Sequence, residues 1–303
     1  CHHANLRIRF FFASKILLTM RINDILKKKR TFSFEVFPPN PENSNIQDIY
    51  NTLDALQQFR PDFISVTFKA SGDFSQNTID LACYIQHHIA AEPLVHLTCG
   101  ALDEHDVDAL AAKMQTEGLE NVLALRGDKP ANFEGDYLKH FKHSTELMDH
   151  LRQQYDFCLA GACYPEGHIE SESIREDIAT LKLKQDMGAQ FLITQLFYDN
   201  NFYYRLVRVA RQMGITIPII PGIMPLTSAV MFNKIKNMAG ATIPFELRVL
   251  IDRFRDDKQA MYEIGISYAV HQILDLLANG ADGIHIYTMN NARVAEEIYR
   301  RIQ

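Results

Sequence analysis

Two carboxylates stand out among the residues that could do chemistry. Glu35 lies within Thr31-Phe32-Ser33-Phe34-Glu35-Val36-Phe37, an apolar alternating run closed by Pro38-Pro39. Proline fixes φ and removes an N–H, so the pair ends ladder pairing just past Phe37. Glu35 is therefore expected near the end of a buried strand, where desolvation raises a carboxyl pKa towards neutrality. A carboxyl poised there can hold a proton at pH 7 and donate it to a substrate. The alternative is a buried Glu paired with a neighbouring Lys or Arg. Asp128 ends Leu125-Arg126-Gly127-Asp128, where the glycine permits close backbone approach to a bulky ligand. The acid either caps a turn or acts as a fixed anion complementing Glu35.

Further signals follow along the chain. Gly161 and Ala162, small residues ahead of Cys163-Tyr164-Pro165-Glu166, mark either a strand on which a flat ligand lies or tight helix packing. His168 reads as a hydrogen-bonding donor rather than a metal ligand. Asp177 and Lys184, seven apart, share one helix face. That face is either solvated or supplies a counter-charge to a pyrophosphate and an acceptor for a ribose hydroxyl. No metal site is expected: His87-His88 lacks a partner at i+4, and the cluster Asp103 to Asp106 suits a helix start. No Gly-x-Gly-x-x-Gly or Walker A loop is present, so a nucleotide here is not held in the Rossmann manner.

These residues need a scaffold, and the apolar pattern supplies one. Strands are expected at 32–37, 63–68, 94–99, 122–126, 157–164, 191–197, 218–224 and 283–288, with little polar alternation. Such runs suit parallel strands buried on both faces. Helical patterns lie between them, at 20–29, 44–59, 77–90, 103–117, 141–154, 171–187, 200–213 and 228–238. Two extra helices are expected within 244–279, and one at 292–302 closes the chain. Gly118, Gly188, Gly214 and Gly280 stop helices ahead of strands. The whole reads as α/β, a single (β/α)8 TIM barrel over 20–303 with extra helices before the last strand; the alternative is a doubly wound open sheet. Chemistry in a barrel sits at the C-terminal strand ends. Those ends carry Glu35, Thr67, Lys69, His96, Arg126, Asp128, Tyr164, Gln195 and Tyr287.

Composition bounds the class. The chain has 303 residues, 47% of them hydrophobic, enough for a full core. A net charge of −6 gives no basic field for nucleic acid or an anionic membrane. Five cysteines without a CxxC pair fit a reducing cytoplasm. Residues 1–19 begin with Cys, and Ser14 and Lys15 interrupt their apolar runs, so they read as an appended or upstream-translated leader rather than a signal peptide. No stretch approaches the roughly 18 apolar residues of a membrane span.

Eight segments in order resemble the bacterial, catalytic-domain type of the methylenetetrahydrofolate reductase family. They are Phe34-Glu35-Val36-Phe37-Pro38-Pro39, Val66-Thr67, His96-Leu97-Thr98-Cys99, Ala124-Leu125-Arg126-Gly127-Asp128, Ala162-Cys163-Tyr164-Pro165-Glu166, Ile193-Thr194-Gln195-Leu196-Phe197, Ile220-Pro221-Gly222-Ile223 and Tyr287-Thr288-Met289-Asn290. The resemblance implies a FAD-containing barrel that reduces 5,10-methylenetetrahydrofolate to 5-methyltetrahydrofolate with NADH or NADPH, in ping-pong fashion. It implies Glu35 as the general acid and Asp128 as the carboxylate beside the flavin. FAD contacts are implied for Thr67, His96, Leu125, Arg126, Gly127, Asp128, Tyr137, Ala162, Tyr164, His168, Asp177 and Lys184. Folate contacts are implied for Glu35, Asp128, Gln195 and Tyr287. A cytoplasmic homo-oligomer such as a tetramer is implied too, without the eukaryotic regulatory domain.

Two departures stand out. The family commonly has arginine where this chain has Asn40 and Asn291, and both arginines are candidates for holding the folate's glutamate tail. Their loss weakens tail binding by several kcal/mol, at roughly 1.5–3 kcal/mol per charged hydrogen bond, unless Lys69 or Arg293 compensates. Competing readings are a Schiff-base lyase using Lys69 or Lys184, and a non-catalytic folate or flavin binder. Against the lyase, neither lysine has neighbours that look desolvating. Against the binder, such a protein has no use for Glu35 as proton donor.

Overall fold

The computed structural model describes residues 20–39, 45–68, 73–129, 133–168, 171–238 and 241–303. The leader 1–19, Asn40 and Lys69 lie outside these. Strands β1 (Thr31–Val36), β2 (Phe63–Val66), β3 (Glu92–Thr98), β4 (Asn121–Leu125), β5 (Cys158–Cys163) and β6 (Ala189–Thr194) pair in parallel, each with the next. The expected seventh strand is two short pieces, β7 (Ile219–Ile220) and β8 (Gly222–Ile223). Pro221 separates them because it has no N–H for the ladder. β7 pairs with β6, whereas β8 pairs with β9 (Gly283–Tyr287), which returns to β1. One divided strand therefore closes an eight-position barrel.

Helices α2 (Ile46–Leu56), α3 (Asp73–His88), α4 (Glu104–Thr116), α5 (Ser144–Gln154), α6 (Ile174–Asp186) and α7 (Asn200–Gln212) follow the successive strands. All four glycines expected to end helices adopt left-handed φ, from 73° at Gly118 to 104° at Gly188, a region closed to most side chains. The first helix is shorter than its pattern suggests. α1 spans only Ile22–Leu26, because Arg21 provides no side-chain cap and a lysine run follows. It plugs the bottom of the barrel: Ile22 is fully buried with Phe63, Leu94, Leu123 and Phe191, and its N–H donates to Asn121 Oδ1 at 2.9 Å. Each such buried side chain is worth about 1.5–3 kcal/mol of transfer free energy.

The extra helices α8 (Ala229–Met238), α9 (Phe245–Phe254) and α10 (Lys258–Ala278) form a satellite core with Tyr198, Met224 and Leu226. Gly265 in α10 lets Leu226 approach, since a Cβ there would lie 2.2 Å from Leu226 O. Helix α11 (Ala292–Ile302) lies against α2 and α10. Among the described residues no helix is long and apolar enough to cross a membrane.

Candidate active site

The parallel register decides which side chains meet at the open end of the barrel. Glu35 stands opposite Ser65 on β2 and opposite Tyr287 on β9. Its side chain is buried, with Ser65 Oγ donating to Oε2 at 3.4 Å, His96 Nε2 at 3.5 Å and His285 Nε2 at 3.9 Å. The basic groups beside it here are imidazoles, which carry charge only when protonated. Burial pushes His96 down to about 4 despite the nearby Glu35, so the imidazole is neutral at pH 7. Asp128, by contrast, is exposed at the cleft mouth. The two carboxylates thus sit in unlike surroundings, one buried and one exposed.

Around them opens a cleft of about 550 Å³, within the range of cofactor and substrate pockets. β2 and β3 contribute Thr67 and His96, and the β4 end contributes Leu125, Arg126, Gly127 and Asp128. Ala162, Tyr164 and His168 come from β5 and its loop, Asp177 and Lys184 from α6, and Gln195 and Tyr287 from the ends of β6 and β9. Gly127 takes φ +82°, and a Cβ there would meet Thr98 at 2.9 Å.

Asp177 and Lys184 are both buried, which removes the solvated-face alternative. Burial raises the Asp177 pKa and lowers that of Lys184, each opposed by the other's charge. Lys184 Nζ donates to Ala162 O at 2.6 Å. The expectation that this lysine is not desolvated is thereby corrected. Its stem fills the space above Gly161, where a Cβ would lie 3.3 Å from Lys184 Cδ and 3.0 Å from Met148 Cε. Gly161 therefore faces the helices, and of the small pair only Ala162 lines the cleft. Two buried polar atoms in the cleft, His96 Nε2 and Asp177 Oδ2, have no hydrogen-bond partner among the described residues. Both residues line the cleft, where a bound polar group can pair with these atoms.

The sequence profile of methylenetetrahydrofolate reductase matches residues 20–303. The chain belongs to the methylenetetrahydrofolate reductase family. It is 31% identical over 266 residues to 5,10-methylenetetrahydrofolate reductase of Escherichia coli, covering 88% of each chain. It is 34% identical over 288 residues to methylenetetrahydrofolate reductase (NADH) 1 of Arabidopsis thaliana, covering 89% of this chain and 48% of the plant protein. The chain thus spans about half the length of that relative. Among solved structures, an uncharacterized Clostridium thermocellum protein that binds two copies of 5-methyl-5,6,7,8-tetrahydrofolic acid superposes with a TM-score of 0.63 at 13% identity. That match covers 93% of this chain and 98% of the other. The likeness shows the barrel fold alone.

Of the residues that the family resemblance implicates, all but Tyr137 line the cleft. Tyr137 stands behind it, its ring where a Cβ on Gly100 would be, 2.1 Å from Cζ, and its hydroxyl against Gly127. It buttresses the Arg126-Gly127-Asp128 turn from outside. His143, Ser144 and Thr145, at the start of α5, line the cleft although no strand-end rule selects them. His285 was also missed, though it lies two residues before Tyr287 and a strand's period of two places both on one face. Asn291 has a structural task, its Oδ1 capping α11 through Arg293 N at 3.1 Å. Arg293 itself sits over the Tyr262 ring at 4.9 Å, and is not among the cleft residues. Among the described residues, the one cluster with metal-ligand spacing, Asp103, His105 and Asp106, starts α4, where Asp103 and Asp106 form a capping box.

Proposed function

We propose that this chain reduces 5,10-methylenetetrahydrofolate to 5-methyltetrahydrofolate, with FAD as resident cofactor and NADH or NADPH as reductant. The observation that carries the reading is the burial of Glu35 in a cleft lined by the residues that the family resemblance implicates. The unpaired His96 Nε2 and Asp177 Oδ2, the buried Lys184 amine and the glycine turn at Gly127 fit a flat dinucleotide. Thr67, His96, Arg126, Tyr164, His168, Asp177 and Lys184 would hold it. Bound there, FAD would supply a two-electron relay between the nicotinamide and the folate.

The chain's own part is proton transfer and charge placement. Glu35 gives its proton to a nitrogen of the folate's five-membered ring, which opens to an iminium cation. Asp128, anionic at the mouth, stabilises that cation. Gln195 and Tyr287 orient the pterin, with Tyr287 held by its O–H on Thr194 O at 2.6 Å. A homo-oligomer working in the cytoplasm belongs to the same reading.

The test is the visible spectrum of the purified protein during anaerobic addition of NADH and then methylenetetrahydrofolate. Flavin bands that bleach and then return support a ping-pong reductase. A colourless protein that cannot be reconstituted with FAD ends the cofactor assignment. The buried Lys184 amine favours one rival, a Schiff-base lyase, which borohydride trapping with a carbonyl substrate would reveal.

A further inference from the structure

Beneath Glu35 runs a chain of buried polar groups that the reaction above leaves unused. Ser33 and Ser65 are 0% exposed and His285 is 1% exposed. The register sets Ser33 opposite His285 and Ser65 opposite Glu35. Ser33 Oγ lies 2.8 Å from His285 Nδ1, and Ser65 Oγ lies 3.3 Å from His285 Nε2 and 3.4 Å from Glu35 Oε2. The imidazole is fixed between two rings, stacked on Phe63 at 5.7 Å and edge-on to Tyr287 at 5.3 Å. Three strands thus build one continuous path from Ser33 to the carboxyl.

The direction of the path turns on one proton. Ser33 has one O–H and two acceptors within reach, Ile284 O at 3.2 Å and His285 Nδ1 at 2.8 Å. Giving that proton to Nδ1 leaves the N–H on Nε2, the tautomer in which Ser65 Oγ accepts from the ring and keeps its own O–H for Glu35; this tautomer is part of the proposal, and the ring nitrogen shifts below decide it. Nε2–H then donates to Ser65 Oγ, and the single Ser65 O–H is directed onto Glu35 Oε2. A carboxylate accepting such a bond is stabilised in its ionised form, against the burial that disfavours it. The geometry points to His285 as a positioning residue that, through Ser33 and Ser65, sets how readily Glu35 releases its proton. This rests on the reading of Glu35 as the proton donor. Also facing Glu35 are His96 from β3 and Tyr287 from β9. Neither completes the path: His96 makes no hydrogen bond through Nε2 among the described residues, and the Tyr287 hydroxyl is committed to Thr194 O.

The decisive measurement is a carboxyl carbon NMR titration of the intact protein, with the Glu35 signal assigned by its loss in Glu35→Gln. His285→Phe keeps the stack on Phe63 but removes both nitrogens, and Ser33→Ala keeps the ring but frees its tautomer. The titration midpoint of Glu35 should rise by about one pH unit in His285→Phe, the worth of one hydrogen bond, and by less in Ser33→Ala. Ring nitrogen shifts should report His285 as neutral with its proton on Nε2. Flavin reoxidation by the folate should slow several-fold while its high-pH limb moves up, and NADH-driven bleaching should stay within about twofold. An unmoved midpoint, a proton on Nδ1, or equal slowing of both half-reactions would overturn the assignment. Should His285→Phe fail to fold, Ser33→Ala carries the test alone. A wild-type protein without folate turnover would end the functional reading, while the carboxyl titration still decides the path.

Discussion

Asn290 grips the backbone of Phe37 with both ends of its carboxamide, Oδ1 accepting from Phe37 N–H at 2.8 Å and Nδ2 donating to Phe37 O at 3.0 Å. The pairing of β1 with β9 ends at Glu35 and Tyr287, so this amide adds two rungs where the strands have stopped. It does so from φ +57°, beside Met289 at +52°, a left-handed region that asparagine enters more easily than methionine. Phe37 lines the cleft, and the clamp fixes its rim immediately before Pro38-Pro39.

Asn290→Ala should therefore destabilise the protein by about 2–4 kcal/mol, from two lost hydrogen bonds and alanine strained at positive φ. The folate KM should rise with NADH-driven bleaching unchanged. Asn290→Gly loses the same bonds without the strain, and should fall between alanine and wild type in a denaturant titration. Wild-type stability in both variants would mean that the clamp contributes nothing.

Glu35→Gln keeps the size and buried setting of the side chain but removes its proton. Folate reduction should fall by about 10²–10⁴-fold, the usual worth of a general acid. Bleaching by NADH needs no proton from this residue and should change by less than about threefold. A parallel fall in both half-reactions would assign Glu35 to cofactor binding instead.

Much of this site was legible because parallel strands expose their C-terminal ends on one side, and the polar residues closing each apolar run mark that side. Glu35, Thr67, His96 and Gln195 were found in this way. The support beneath them was not: Ser33, Ser65 and His285 each precede a recognised residue by two, inside runs that read simply as core. Orientation was the other blind spot. Spacing put Asp177 and Lys184 on one face, but only the packing of α6 over Gly161 turns that face towards the cleft. The run 218–224 reads as one strand, and only the pairing shows that Pro221 breaks it so that one strand serves two neighbours.

Two of the glycines in barrel strands make opposite predictions. At Gly222 a Cβ would lie 2.4 Å from Thr194 O and 2.6 Å from the Tyr287 ring, at the seam where the barrel closes. Backbone cannot yield there, so Gly222→Ala should destabilise by more than about 3 kcal/mol, beyond ordinary overpacking. Gly161→Ala meets only flexible side chains, the nearest being Met148 Cε at 3.0 Å, and should lose about 1 kcal/mol or less. If a flat ligand lay on Gly161, that variant would lose cofactor instead, which absorbance at equal protein concentration would detect.

Two buried groups pull the pH dependence of stability in opposite directions. His96 is pushed from 6.5 down to about 4 by burial, so between those values the unfolded chain binds a proton that the folded chain refuses. Stability then rises with pH across that window and is lost as pH falls through it, by up to about 3 kcal/mol. Glu92, which accepts from Met20 N at 3.0 Å, is raised to about 7 by burial. Its contribution is complete below 4.5 and disappears as pH rises towards 7; Asp177, also raised by burial, acts in the same sense. His96 is 6% exposed whereas Glu92 is only partly buried and better screened, so the histidine slope should prevail. Unfolding free energy should thus increase between pH 4 and 6.5. His96→Gln should flatten or reverse that rise, and Glu92→Gln, which keeps the acceptor for Met20, should steepen it. A wild-type profile that falls across the window would show that the carboxyls, not His96, dominate.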